Sequence, residues 1–282
     1  MNRGSRRLRR IVPTLRRHAF LVLLVVFALG PLVVMVFNAL KPISELGFNP
    51  LGPPSQLALS NIGDAWARGK FSTTLPNSVA LVLLTLGLGV PIAALAAFGL
   101  SRPRIAGASV LIVYLLVAST IPLQLFLVPL FFVWSKLSAT SSLPGLAVIY
   151  VAILTPFAVF LIRSYMVKIP RDFEEAARVD GAGDLQVLWH VVVPMAWPGI
   201  LAASLIMALS VWQEYLLATV FLLDPDTFTV VTSFYKFQTQ FSTDWTLESA
   251  AALITIVPVV VIFLALQRRF IGGLTQGGLT ST

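Results

Sequence analysis

Residues 77–100 read NSVALVLLTLGLGVPIAALAAFGL, inside a stretch that carries no charged side chain between Lys70 and Arg102. A helix needs about 20 apolar residues to cross the hydrocarbon core of a bilayer, so this run predicts a transmembrane helix. Working outward, five more stretches pass the same test: 19–37, 107–134, 143–162, 199–223 and 249–266. The fold class expected is an all-α membrane protein of six transmembrane helices. Composition agrees, with 57% of the 282 residues hydrophobic, 11% charged and a mean hydropathy of +0.88. Soluble domains carry about 45–50% apolar and about 25% charged residues. A soluble globule is therefore excluded, and so is a disordered chain, whose signature is the reverse.

The formal charge of +8 would suggest nucleic acid in a soluble protein, but no folded basic face accompanies it. Seven arginines (Arg3, Arg6, Arg7, Arg9, Arg10, Arg16 and Arg17) stand before the first apolar run, where a basic segment meets anionic headgroups and stays cytoplasmic. No nucleic-acid partner is expected. Arg102, Arg104, Arg163, Lys168, Arg171, Arg178, Arg268 and Arg269 fall on the same side when six spans alternate. Only Lys41, Arg68, Lys70, Lys136 and Lys236 fall outside. That asymmetry places both termini in the cytoplasm. The division expected is a basic cytoplasmic tail over 1–18, a six-span domain over 19–266 and a cytoplasmic tail over 267–282. A basic start followed by Ala28 and Gly30 also fits a signal peptide, but Pro31 follows and the apolar run continues to Phe37. Prolines within the spans, among them Pro91, Pro122, Pro156 and Pro258, predict kinked helices around a protein interior.

The chain has no cysteine and only two histidines, His18 and His190, so no metal site is expected and thiolate chemistry is absent. Gly63 and Gly69-Lys70 have the wrong spacing for a phosphate-binding loop, and Phe71 stands where Ser or Thr should follow the lysine. No motif of a hydrolase or metalloprotease occurs. No enzyme activity and no bound cofactor are expected of this chain.

Five of the twelve acids (Asp172, Glu174, Glu175, Asp180 and Asp184) lie in one hydrophilic loop, residues 168–194. Asp172, followed three residues later by Glu175, predicts an N-cap and a short helix from Phe173. Glu174 and Arg178 are spaced for an i,i+4 pair, and Gly181 or Gly183 supplies a left-handed stop. A second short helix is expected after Asp184, broken by Pro194. Such a loop is either a connector on the membrane surface or a stiff protrusion for a cytoplasmic partner. In the fifth span Glu214 is the one acid within an apolar run, flanked by Trp212, Gln213 and Tyr215. Charged groups at such depth cost about 2.5–3.5 kcal/mol on insertion scales. Glu214, with Gln213 and Gln124, is thus a candidate for the pathway, and equally for a structural brace. Trp66, Tyr235, Phe237 and Trp245, near the outer surface, fit an interfacial aromatic belt better than the alternative, contact with a binding protein.

The order Glu175-Ala176-Ala177, Gly181, Val191-x-Val193-Pro194 resembles the EAA motif of binding-protein-dependent ABC importer permeases, with Val in place of the pattern's Ile and Leu. Phe37-Asn-Ala-Leu-Lys-Pro42, Asn77-Ser78, Ile121-Pro122-Leu-Gln124, Val128-Pro129, Trp212-Gln-Glu-Tyr-Leu216 and Gln267 to Gly278 are similar to the second permease subunit of the maltose-type carbohydrate family. The resemblance implies that loop 168–194 is a coupling helix seated on an ATP-binding subunit. Glu174, Glu175, Ala176, Ala177, Asp180, Gly181 and Pro194 would be its functional positions, with Glu175 paired to a basic residue of the ATPase. It implies further that Thr275, Gln276 and Gly277 reach the ATPase. The partners would be a second homologous permease, two ATP-binding subunits that carry ATP and Mg, and an extracytoplasmic solute-binding protein. The location implied is a bacterial or archaeal inner membrane. In that family direct sugar contacts lie mostly on the other permease. A glycerol phosphate or polyol is an alternative cargo. A secondary transporter fits less well, because it normally has more spans arranged as repeats.

Overall fold

The computed structural model describes the backbone of residues 3–102, 107–240 and 244–278, and the side chains of 18–102, 107–238 and 244–265. The helices, in chain order, are α1 (Arg3–Ala39), α2 (Ile43–Leu46), α3 (Ser60–Arg68), α4 (Phe71–Leu100), α5 (Ala108–Thr120), α6 (Leu127–Lys136), α7 (Leu143–Met166), α8 (Asp172–Val179), α9 (Asp184–Val187), α10 (Val193–Gln213), α11 (Leu216–Phe221), α12 (Val230–Gln240) and α13 (Trp245–Gly278). No strand occurs among the described residues. The protein is an all-α membrane protein. Five helical stretches are long and apolar enough to cross a bilayer: His18–Ala39, Phe71–Leu100, Leu143–Met166, Asp184–Gln213 and Trp245–Ala265. A bent pair, Ala108–Thr120 with Leu123–Lys136, is the sixth when counted as one span.

The chain divides into two compact units, Met1–Gly69 with Phe234–Val257, and Lys70–Ser233 with Pro258–Thr282. In the first unit every side chain from His18 to Leu29 is exposed. A helix apolar all round and uncovered by its own chain belongs in lipid or against another subunit. The segment after α1 is held by buried polar contacts. Glu45 accepts from the Ser55 hydroxyl at 2.7 Å and from the Asn49 amide at 2.8 Å. Lys41, fully buried, donates to the Asn49 carbonyl at 2.5 Å and to Asn38 at 3.2 Å. Asn61 closes the knot by donating to the Lys41 carbonyl at 2.7 Å. The Ser55 hydroxyl contributes most to holding the Glu45 carboxyl below its ordinary value of 4.5; burial opposes the shift, and the Asn49 amide, the Ser55 N–H and the Lys41 charge add to it. At the start of α13 Asp244 accepts from the Thr246 and Leu247 N–H groups at 3.1 Å, satisfying helix-terminal donors that lack intrahelical partners.

The second unit is built on α4, α7 and α10. Small residues line their contacts: Ala93, Ala94 and Ala97 of α4, Ala158 of α7, and Ala196 and Ala203 of α10 are all buried. With no hydrophobic drive between helices in lipid, close backbone approach of this kind supplies the packing. A methyl added at Gly199 would fall on the Tyr165 ring. At the end where α4 and α7 finish, here called the loop end, Val187, Leu188 and Val192 extend this core under loop 168–194. At the opposite end Leu81, Leu146, Tyr150, Val211, Leu217 and Phe221 form a second cluster.

The kink expected at Pro122 in the third span, 107–134, is present as a break after Thr120 that turns through 86°, and three other expectations, on the fifth span, Pro194 and Asp172, are corrected. Pro122 forces Ile121 into an extended conformation, φ −73° and ψ 126°. The hydroxyls of Ser119 and Thr120 bond back to the carbonyls of Leu116 and Val117 at 2.7 and 2.8 Å. The fifth span, read as 199–223, runs from Asp184 to Gln213, and Leu216–Phe221 is a separate helix. Pro194 therefore does not break the helix. A π-turn over Leu188–Val192 precedes it, its bond from the Val193 N–H reaching the Leu188 carbonyl, and this wider turn accommodates the missing proline donor. Asp172 is the first residue of α8 rather than its cap; Arg171 takes the cap position and no side chain caps the helix.

Candidate functional site

Loop 168–194 folds as a helix, a glycine turn and a second helix. Gly181 has φ +88°, a left-handed conformation that costs an L-residue roughly 1–2 kcal/mol. Gly183 is extended at φ −74° and stands before α9, where its N–H donates to the Gln186 side chain at 2.9 Å. Of the two glycines offered by the sequence, Gly181 makes the left-handed turn. Its N–H bonds to the Arg178 carbonyl at 3.0 Å, and the N–H of Ala182 to the Ala177 carbonyl at 3.0 Å, which satisfies the end of α8.

The two adjacent glutamates face opposite ways. Glu174 is buried and Glu175 exposed. The Arg102 guanidinium, just past α4, pairs bidentately with Glu174, its Nε lying 3.0 Å from Oε2 and its second nitrogen bonding Oε1. Arg178 lies 3.6 Å from the same carboxylate and 3.0 Å from Asp184. The i,i+4 partner of Glu174 was legible in the sequence. Arg102, 72 positions away, was not. Arg163 donates to the Leu100 carbonyl at 2.9 Å, tying α7 to the end of α4. Ala177 packs partly against the core of its own bundle, while Ala176, Asp180 and Gly181 are exposed. Pro194 is exposed in the first turn of α10. Beside these polar groups Phe173 is 52%, Leu185 63% and Val179 88% exposed. Large apolar side chains uncovered on a charged loop mark an interaction surface.

Glu214 stands in the break between α10 and α11, extended at φ −72° and ψ 125°. Its Oε1 accepts from the Leu217 N–H at 2.9 Å, and its Oε2 from the Ala218 N–H at 3.1 Å and the Tyr150 hydroxyl at 2.7 Å. The carboxylate thus caps α11 and ties it to α7. Gln213, beside it, is exposed. Gln124 is exposed in the short 3₁₀ turn Leu123–Phe126 between α5 and α6. Neither Gln124 nor Glu214 lines the apolar cavity of about 390 Å³ formed by Leu123, Phe126, Pro129, Trp134, Ile149 and their neighbours. Such a lining offers no hydrogen-bond partners to a sugar's hydroxyls. Asn77 and Ser78, a pair singled out in the sequence, hold the segment before α12. The Asn77 amide donates to the carbonyls of Asp226 and Phe228 at 2.7 and 3.0 Å, and the Val230 N–H donates to the Ser78 hydroxyl at 2.8 Å. Of the proposed aromatic belt, Trp66, Tyr235 and Trp245 are exposed, but Phe237 is buried and does not belong to it. Thr275, Gln276 and Gly277 continue the helical backbone of α13; their side chains lie outside the described residues.

Comparison with known proteins matches this architecture to named relatives. The chain is 33% identical over 221 residues to the sulfoquinovosyl glycerol transport system permease protein of Agrobacterium fabrum, covering 78% of each. It is 30% identical over 262 residues to a diacetylchitobiose uptake system permease protein of Streptomyces coelicolor, covering 92% of this chain and 87% of the relative. Its fold matches a chain of a bacterial ABC transporter involved in the import of the acidic polysaccharide alginate, with a TM-score of 0.79 at 22% identity over 96% of this chain and 99% of that one. Residues 89–275, which contain the whole glycine-turned loop and the helices that carry it, match the model of the binding-protein-dependent transport system inner membrane component. The chain belongs to that family of membrane-embedded transport permeases.

Proposed function

We propose that this chain is a membrane-spanning permease subunit of an ATP-driven importer of a carbohydrate. The observation that carries the reading is loop 168–194: a rigid helix–turn–helix locked to the bundle through Glu174, with Glu175, Val179 and Leu185 left uncovered. Having no nucleotide motif of its own, the chain depends on ATP-binding subunits. ATP and Mg would sit on those partners, and Glu175 would offer its carboxylate to an arginine or lysine there. Ala176 leaves room for close approach at the same surface. A second, homologous permease completes the pathway, and a solute-binding protein delivers cargo from the other side. The basic residues in the first part of α1, before its apolar run, and around loop 168–194 support a cytoplasmic position for that loop and for both termini. The sugar-bearing cargoes in the names of the relatives support a carbohydrate.

Mechanically, closure of the ATPase dimer would carry the docked loops with it. Because α9, the π-turn and α10 form one continuous stretch from Asp184 to Gln213, displacement of the loop turns directly into movement of a span. The test is purification of the chain from its native membrane in mild detergent, with identification of the proteins that accompany it. An ATP-binding subunit and a second permease are expected, and titrating their binding protein with sugars, polyols and glycerol phosphates identifies the cargo. Recovery of this chain alone, active as a carrier without ATP, would overturn the reading.

A further inference from the structure

The buried pair Arg102–Glu174 is built more strongly than anchoring a surface loop requires. The Glu174 side chain is 2% exposed and that of Arg102 is 11% exposed. Arg102 is fixed on three sides: by Glu174, by the Ser101 hydroxyl at 2.6 Å, and by the Phe98 ring 4.9 Å beneath its guanidinium. On the other flank Arg178 links Glu174 to Asp184 at the start of α9. Both elements of the loop are thereby joined to the end of α4, a span separated from them in the chain by α5, α6 and α7.

A buried ion pair is a poor way to add stability, since its desolvation penalty rivals its attraction. What a bidentate pair supplies is direction: two parallel bonds fix distance and angle together, whereas apolar contacts let helices slide. Glu174, turned inward and already shared between two guanidiniums, is closed to an external partner. The pair is therefore suited to carry force within the chain.

We propose that Arg102 and Glu174 form a strut that transmits displacement of α8 into α4, making Arg102 a positioning residue for transport. This rests on the reading of loop 168–194 as the surface moved by the ATPase. Two spans would then respond to one loop: α10 through chain continuity and α4 through the strut.

The absence of cysteine from the chain permits a direct test. In the complete transporter reconstituted in liposomes, with the cysteine-free parent chain as control for the reagent, the double variant Arg102→Cys/Glu174→Cys is assayed before and after bridging with a short bifunctional thiosulfonate. Without the bridge, ATP hydrolysis persists while solute uptake per ATP falls about tenfold, within the range of couplings between distant sites. Bridging restores the ratio, and dithiothreitol abolishes it again. Arg102→Lys retains more of the ratio than Arg102→Met, which keeps the packed stem and loses the charge. Uptake at the parent's level in the unbridged variant would overturn the strut, as would bridging that leaves uptake low or stops hydrolysis and uptake together. Failure of an ATP-binding subunit to accompany the parent chain would instead sink the docking reading, so the two failures are distinguishable.

Discussion

At the scale of single residues, the two glutamates of the loop divide the labour that the motif alone assigns to both. Glu175 is exposed and Glu174 is enclosed by guanidiniums, a distinction that a string of neighbouring acids cannot reveal. Glu174→Ala leaves Arg102 buried without its partner, a type of loss that costs about 3–5 kcal/mol. The expected outcome is a lower melting temperature for the purified complex, with Glu175→Ala unchanged in the same assay. Glu214 is a cap held by Tyr150. Tyr150→Phe removes a bond to a half-buried carboxylate, worth up to about 1.5–3 kcal/mol, and should lower the melting temperature while transport by the folded protein survives. Abolished transport in a protein of unaltered stability would return Glu214 to the pathway.

At the scale of elements, the buried knot around Glu45 gives the segment between α1 and α4 a predictable response to acid. The folded carboxyl titrates below its ordinary value, so the charged form is favoured by folding. Its stabilising contribution is complete above the unfolded value and disappears as pH falls through the folded one. Amide protection over residues 37–62, taken after the intrinsic pH dependence of exchange is divided out, should therefore fall below about pH 4.5, and Glu45→Gln should show lowered protection at neutral pH with little further change on acidification. Constant protection of the parent across that range would contradict the account. The same scale shows why some elements were legible and others not. Long uncharged runs mark α1, α4 and α7 because the bilayer demands apolar length whatever the neighbours do. The end of α10 carries no such mark: no proline or glycine separates Gln213 from Leu216, and the break depends on Glu214 reaching the N–H groups of the next helix. Pro194 misleads for the opposite reason, since the π-turn before it absorbs a residue that would otherwise stop a helix.

At the scale of the whole molecule, the sequence order of loop, glycine turn and spans was enough to indicate a permease, because its chemistry is carried by local motifs. Long-range pairings were hidden, among them Arg102–Glu174, Asn77–Asp226 and Tyr150–Glu214, since each joins residues far apart whose types recur elsewhere. These pairings connect the spans of the Lys70–Ser233 unit to its loops at both ends of the bundle. On the proposed reading, Arg102–Glu174 makes loop 168–194 a lever on the bundle rather than a flexible connector. The most direct measurement of this central claim is solute uptake by liposomes containing the complete transporter, with ATP hydrolysis recorded in parallel, for the parent and for Glu175→Ala. The account predicts uptake that requires ATP in the parent, and hydrolysis without matching uptake in the variant. Uptake that proceeds without ATP, or full coupling in Glu175→Ala, would contradict it.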